Sequence, residues 1–177
     1  MAGSNIYLSI VVPFYNEADT IIEFAQELQK TFKDYSKPWE VVFVDDGSTD
    51  DSIDKLKAAI EEETNCRIVK LSANFGRNSA LCAGLNYADG RYVGVLSADL
   101  QYHPSQLLKL ENELGDKRLD MVAGYLSAEP TGKRLGDRMR YSLAVNGRLR
   151  DPICSLRIFS RKLIGRIKNY SGNTYNP

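Results

Sequence analysis

Four runs between residues 13 and 101 gather the side chains best suited to polar chemistry. They are Pro13-Phe14-Tyr15-Asn16-Glu17, Asp45-Asp46-Gly47-Ser48, Ser72-Ala73-Asn74-Phe75-Gly76-Arg77 and Ser97-Ala98-Asp99-Leu100-Gln101. Any one of them suits a turn, because Asp, Asn, Gly and Ser all favour turns. Four together, each directly behind an apolar segment, point to a shared crevice. Carboxylates gathered in a crevice repel one another and resist ionisation unless a cation is present. A divalent metal removes that repulsion, and Mg²⁺ typically binds through one or two carboxylates together with phosphate oxygens and water. Neither G-x-x-x-x-G-K-[ST] nor G-x-G-x-x-G occurs in the chain. A phosphate would therefore not rest on a P-loop or on a Rossmann turn. The chemistry these residues suit is the grip of a nucleoside diphosphate by metal and carboxylate.

The segments that must position these runs are legible from hydrophobic periodicity. Continuous apolar, β-branched stretches predict strands at Ile6–Val12, Trp39–Val44, Cys66–Leu71, Arg91–Leu96 and Leu119–Gly124. Between them, Glu17–Phe32 carries a helical stripe of Ile21, Phe24, Ala25, Leu28 and Phe32. A second helix follows Ser48 and Asp51, which read as a capping box, and carries Ile53, Leu56 and Ile60. Asn78–Tyr87 and Pro104–Leu114 are the next two, the latter with Gly115 placed as its C-cap. After Gly124 the chain turns polar, basic and weakly periodic. Ile153–Phe159 reads as one more strand, and Ser160 as the cap of a last helix through Ile167. Apolar strands alternating with amphipathic helices predict an α/β fold, a mostly parallel central sheet with helices on both faces. In such sheets, ligands bind beyond the carboxyl ends of the strands.

Composition bounds the class. The 177 residues include 43% hydrophobic and 26% charged, as in ordinary globular domains. They are expected to form one domain, 1–177, with a nucleotide-binding half, 1–124, and a basic portion, 125–177. Cys66, Cys82 and Cys154 are odd in number and lack C-x-x-C spacing, so reduced thiols in a cytosolic compartment are expected. No apolar run reaches the 18 or so residues of a membrane span. The opening Met1-Ala2-Gly3-Ser4-Asn5 lacks the basic n-region of a signal peptide. His103 and Cys154 read more simply as a solvated loop residue and a buried small hydrophobe. The formal net charge of +0 hides an asymmetry. Residues 1–130 hold 12 Lys+Arg and 21 Asp+Glu, a net of −9, while residues 131–177 hold 11 and 2, a net of +9. A split of this kind suggests a basic face for an anionic partner.

The motifs in their order resemble the family 2 glycosyltransferases of the GT-A fold. Ile10-Val11-Val12-Pro13-Phe14-Tyr15-Asn16-Glu17 is similar to that family's opening, and Val44-Asp45-Asp46-Gly47-Ser48-Thr49-Asp50 to its second motif. Leu71–Gly84 resembles its third, and Leu96-Ser97-Ala98-Asp99-Leu100-Gln101 its D-x-D segment. Asp151-Pro152-Ile153-Cys154-Ser155-Leu156-Arg157-Ile158 resembles the D-x-x-x-S-F-R-L stretch of the dolichyl- and polyprenyl-phosphate sugar transferases. The resemblance, over roughly residues 6–165, implies an inverting, metal-dependent sugar transfer from a UDP- or GDP-sugar to a polyprenyl-phosphate-type acceptor. It implies that Pro13, Tyr15, Glu17, Val44 and Asp46 line the base and ribose pocket, with Arg77, Ser97 and Ala98 also on the donor. It implies that Asp99, with Gln101, holds Mg²⁺ or Mn²⁺. Arg134, Arg138, Arg140 and Arg157 would meet the acceptor phosphate, and Asp151 and Arg157 would act at the reaction centre. Ser97 stands where that family's D-x-D segment has its first Asp, and a hydroxyl is a poorer metal ligand than a carboxylate.

Two alternatives stand beside this reading. One is transfer to a saccharide hydroxyl, with Asp151 as the general base. The other is a nucleotide-sugar-binding module without turnover. No nucleic-acid partner is expected. A peripheral location on the cytoplasmic face of a membrane is, with residues 131–168 against the anionic lipid. Each Lys or Arg near such a surface contributes about 1 kcal/mol, screened within about 8–10 Å at physiological salt. The chain should therefore sediment with anionic vesicles at low salt and be released at high salt. Salt-independent sedimentation, or none at low salt, would contradict this.

Overall fold

Every residue of β1 (Leu8–Phe14) is buried, as expected of a strand covered on both faces. A computed structural model of the chain describes residues 5–117, 119–126, 139–143 and 156–165. The elements run β1, α1 (Ile21–Phe32), β2 (Trp39–Asp45), α2 (Ser52–Ala59), β3 (Cys66–Lys70), α3 (Arg77–Tyr87) and β4 (Tyr92–Val95). Then come α4 (Ser105–Lys117), β5 (Met121–Leu126), β6 (Met139–Leu143), β7 (Arg157–Ser160) and a short helical turn over 161–165. The strands form one sheet in the order β3-β2-β1-β4-β7-β5-β6.

The β3-β2-β1-β4 half is parallel, in register from Leu8↔Trp39 and Leu8↔Tyr92. Alternation along β1 divides the core. Leu8, Ile10, Val12 and Phe14 pack with Phe24 and Leu28 of α1, Leu56 of α2 and Leu107 and Leu110 of α4. Val11 faces the other way, with Val42, Val44, Val93, Ala80 of α3 and Ile164. Helices thus cover both faces. Gly84 lets α3 approach closely, because a Cβ there would lie 2.3 Å from Cγ1 of Val11.

The second half departs from simple alternation. β7 inserts between β4 and β5 and runs antiparallel to both. β6, within a stretch read as weakly periodic, pairs antiparallel with β5. A strand far along the chain thus takes the place beside β4, a pairing that local periodicity does not carry. Four local expectations also shift. Gly115 lies inside α4 rather than capping it. Helix α1 begins at Ile21, because the Glu17 carbonyl accepts from the amides of Thr20 and Ile21 and closes a turn first. The capping box of α2 does not form: Asp51 makes no side-chain cap bond, and Ser48 is used elsewhere. The last strand begins at Arg157, with 151–155 outside the described residues. Ser160 does cap the following turn, its hydroxyl accepting from the Leu163 amide at 3.3 Å.

At the end of the sheet opposite the four polar runs, a buried carboxylate ties strands together. Glu40, 3% exposed, accepts from the Ser9 hydroxyl (2.6 Å) and the Asp89 amide (2.7 Å), and pairs with Arg67. The Gly90 amide donates to the Ser9 hydroxyl at 2.7 Å, completing the network. Glu40→Ala would leave the Ser9 hydroxyl and the Asp89 amide without their acceptor. Each unsatisfied buried group costs about 1–3 kcal/mol, so a loss of about 3 kcal/mol is expected in urea unfolding. A change under about 1 kcal/mol would show that water replaces the carboxylate.

Candidate functional site

Parallel strands β2, β1 and β4 lie side by side, so the segments after them open on one edge. The segment between β3 and α3 reaches the same place. Together they enclose a cleft of about 260 Å³ lined by Pro13, Phe14, Tyr15, Glu17, Asp46, Asn74, Gly76, Arg77, Ala80, Ser97, Ala98 and Asp99.

The loop after β1 is stitched to the loop after β2. Asn16 adopts φ 54°, and its amide donates to the Ser48 hydroxyl at 2.9 Å. Its side-chain carbonyl accepts from the Thr49 amide at 2.9 Å. The Glu17 amide donates to the Ser52 hydroxyl (2.8 Å) and the Ala18 amide to Asp50 (3.2 Å). Burial opposes ionisation of Asp50, but bonds from the Ser52 hydroxyl and amide and from the Ala18 amide outweigh it. They hold its carboxyl below the usual carboxylate range. Most of the second motif therefore builds the cleft wall. Asp45 is fully buried and accepts from the Ser48 amide at 2.9 Å.

Asp46 is the member that reaches the cleft. It is 3% exposed, and its Oδ1 accepts from the Phe75 amide at 2.9 Å, which ties the β3–α3 loop to β2. Within that loop the Asn74 side chain accepts from the Gly76 amide at 3.0 Å, and Gly76 takes φ 88°. From the first turn of α3, Arg77 Nη2 donates to the Ser97 hydroxyl at 2.6 Å, linking this loop to the end of β4. Asp99 is exposed, and its Oδ1 accepts from the Gln101 amide at 3.0 Å, across Leu100 at φ 55°.

The structure thus brings Pro13, Tyr15, Glu17, Asp46, Arg77, Ser97, Ala98 and Asp99 into one cleft. Val44 does not reach it. It is fully buried in the core cluster under α3, on the same face as Asp46 but two residues further from the strand end, where α3 packs over it at Gly84. Gln101 is not among the lining residues and meets Asp99 through its backbone. Arg157 opens β7 in register with Val95, two residues before Ser97, so it starts at the same edge. Arg140 lies on β6, beyond β7 and β5. Asp151, Arg134 and Arg138 lie outside the described residues. His103 stands away from the cleft, bonding Ser105 (2.8 Å) and Glu27 (3.2 Å). Phe14, Asn74, Gly76 and Ala80 line the cleft without having been singled out. Phe14, Asn74 and Gly76 sat in quoted runs, and Ala80 fell within the span of the third motif without a role assigned to it.

The family model "Glycosyl transferase family 2" matches residues 9–167. The chain belongs to glycosyl transferase family 2. It is 32% identical over 173 residues to a dodecaprenyl-phosphate galacturonate synthase of Rhizobium johnstonii, covering 93% of this chain and 51% of that protein. It is 31% identical over 190 residues to an undecaprenyl-phosphate 4-deoxy-4-formamido-L-arabinose transferase of Serratia proteamaculans, covering 96% and 54%. The chain therefore spans about half the length of these curated relatives. Among solved structures it resembles glucosyl-3-phosphoglycerate synthase from Mycobacterium tuberculosis in complex with Mn²⁺, UDP and glucosyl-3-phosphoglycerate. That match has a TM-score of 0.65 at 22% identity, over 89% of this chain and 58% of the other. The fold is GT-A. Among the described residues no helix is long and apolar enough to cross a membrane.

The metal question rests on the donor set. Among the described residues no three His, Cys, Asp or Glu side chains cluster to enclose an ion. Asp99 nevertheless presents an exposed carboxylate at the cleft, and among the described residues only its Oδ1 is engaged. That fits Mg²⁺ or Mn²⁺, which accept a single carboxylate when phosphate and water complete the shell.

Gly47 decides how closely the two loops meet. It takes φ +72°, and a Cβ there would lie 2.4 Å from the backbone carbon of Ala73. Gly47→Ala therefore adds left-handed strain of about 1–2 kcal/mol to a clash with backbone. We expect thermal unfolding to show at least about 2 kcal/mol of destabilisation, with the Asp46–Phe75 bond loosened. A neutral substitution would mean that the loops move apart freely.

Proposed function

We propose that the cleft binds a nucleotide-diphosphate sugar and that the chain transfers the sugar, with inversion, to a polyprenyl-phosphate-type acceptor. The observation that carries the reading is the convergence of Asp46, Arg77, Ser97 and Asp99 on one cleft, with Arg157 starting at the same sheet edge. The relatives named for polyprenyl-phosphate substrates support the acceptor class.

Pro13, Tyr15, Glu17 and Asp46 hold the nucleoside end of the donor. Asp99 would hold Mg²⁺ or Mn²⁺, which when bound offsets charge on the leaving diphosphate. Arg157 meets the acceptor phosphate, joined by Arg134, Arg138 and Arg140, since a planar guanidinium suits phosphate. A phosphate oxygen of the acceptor attacks the anomeric carbon as the bond to the nucleoside diphosphate breaks. The acceptor is already ionised at neutral pH, so no general base is required. Catalysis is then orientation and electrostatic stabilisation. Asp151 orients the acceptor-side arginine. The acceptor places the chain on a membrane surface, reached through the basic residues 131–168.

Donor identity is tested by thermal shift with UDP-, GDP-, CDP- and dTDP-sugars and Mn²⁺. Ligand at 100 times its Kd stabilises by about 2.7 kcal/mol. Asp99→Asn should abolish the Mn²⁺-dependent part of that stabilisation while the fold survives, and an unchanged Mn²⁺ gain would remove Asp99 from the metal role. The acceptor is tested by transfer to polyprenyl phosphate and to free saccharides. Arg157→Ala should sharply weaken use of the lipid phosphate, and Asp151→Asn should lower the rate only modestly. A loss of about 10²–10⁴-fold in Asp151→Asn, with donor affinity intact, would instead make Asp151 the base for a sugar hydroxyl.

A further inference from the structure

The basic stretch of the sequence is divided by β7. That strand runs antiparallel to β4, so Arg157 stands at the cleft edge, in register with Val95, while Ser160 pairs with Tyr92 at the opposite edge. Arg161 and Lys162 follow Ser160 directly. At about 3.3 Å per residue, Arg161 lies roughly 13 Å from Arg157 along the sheet. At that far end the two cations meet a third, from a distant part of the sequence. Arg91, the residue before β4, lines with Arg161 and Lys162 a cavity of about 480 Å³ that is separate from the donor cleft.

Arg161 is the fixed member. Its amide donates to the Arg91 carbonyl at 2.9 Å, its Nε to the Gly90 carbonyl at 3.0 Å, and its Nη2 to the Ala88 carbonyl. A guanidinium has five N–H donors, so three remain, and carbonyl partners do not cancel its charge. The Arg91 guanidinium lies over the Tyr92 ring, 5.4 Å from its centroid, and the Lys162 side chain is exposed. The wall holds one carboxylate, Asp120, whose Oδ1 accepts from the Ser160 hydroxyl at 2.8 Å. Three positive charges therefore converge on one concavity against a single negative charge. Like charges gathered in a cleft with apolar walls, here Leu114 and Leu119, concentrate the field and draw in a counter-ion.

We propose that this cavity is a second anion site, for a phosphate-bearing ligand, at the end of the sheet away from the donor cleft. Arg161 arrives already oriented, so it loses little freedom when a phosphate binds, and a guanidinium can meet phosphate with two parallel bonds. Arg91 and Lys162 approach from the rim. Leu114 and Leu119 offer an apolar wall to the group that carries the phosphate. A soluble phosphate compound and a phospholipid headgroup share this chemistry. The site stands whatever the donor cleft holds, because no residue is common to the two linings.

The test uses two probes in EDTA at physiological salt. One is inorganic pyrophosphate, followed by isothermal titration. The other is phosphatidylcholine vesicles containing phosphatidic acid, followed by sedimentation, with pure phosphatidylcholine as the blank. The proteins are the parent chain, the pair Arg91→Gln with Lys162→Gln, and a control pair, Lys30→Gln with Lys33→Gln, that removes the same charge from the end of α1. All four side chains are exposed, and thermal unfolding checks each fold. The parent should bind at least one probe. Arg91→Gln with Lys162→Gln should weaken that binding roughly tenfold, and the control pair should leave it unchanged. Weakening with pyrophosphate identifies a soluble phosphate ligand, and weakening with vesicles alone identifies a lipid headgroup. If the first pair does not fold, Lys162→Glu alone should weaken binding in the same way. Equal weakening by both pairs would mean general surface charge and would overturn the inference. So would parent binding that Arg91→Gln with Lys162→Gln leaves unchanged, or binding of neither probe.

Discussion

Burial of the parallel strands on both faces is the constraint on which the site depends. β1 offers no exposed residue along its length, and β2 and β4 are nearly as enclosed. A polar side chain within such a strand needs an internal partner, as Ser9 and Glu40 have in each other. Polar groups therefore emerge where the strands end. Because β2, β1 and β4 are adjacent and parallel, their ends open together. The cleft follows from the sheet order as much as from the residues that line it.

What keeps the emergent segments in place is a division of labour among side chains that look equivalent in sequence. Asp45, Asp46 and Asp50 lie within six residues of one another. Asp45 closes its own turn, Asp50 receives the loop after β1, and Asp46 clamps the loop before α3 while also facing the cleft. Each accepts from a backbone amide, Asp45 and Asp46 from within the wall and Asp50 at its exposed rim. The wall is thereby held by the same chemistry that the cleft offers to a ligand. At the far end of the sheet, Glu40 does the equivalent for β1, β2 and the turn before β4.

The electrostatics of the cleft are more balanced than a count of acidic residues suggests. Asp99 is its exposed carboxylate, while Arg77 brings a cation held by a neutral hydroxyl. On the function proposed above, this balance is what a nucleoside diphosphate would meet in the cleft. An anionic leaving group needs positive charge already aimed at it, and preorganised charge costs nothing further at the moment of reaction.

The amino-acid sequence alone determined the strand and helix order through residue 124, the α/β class and the four polar runs at the strand ends. These are local properties: a continuous apolar run, a helical stripe or a turn-forming cluster is visible within about a dozen residues. It also determined, through motif resemblance, which side chains among those runs belonged together. Tertiary structure decided the rest. The insertion of β7 beside β4 depends on pairing between segments some sixty residues apart, which no window shows. Ser48 reads as a helix cap until the Asn16 amide, 32 residues away, takes its hydroxyl. Val44 reads as part of a motif until α3, packed over it at Gly84, closes it into the core. Ala80 carries no chemical signal, yet it lines the cleft because α3 lies close against β1. Arg77 and Ser97 are both expected on the donor from motif resemblance, but their direct bond forms only because β4 lies beside β1 and α3 starts at its edge. Each of these depends on which distant surfaces meet, and only the folded chain settles that.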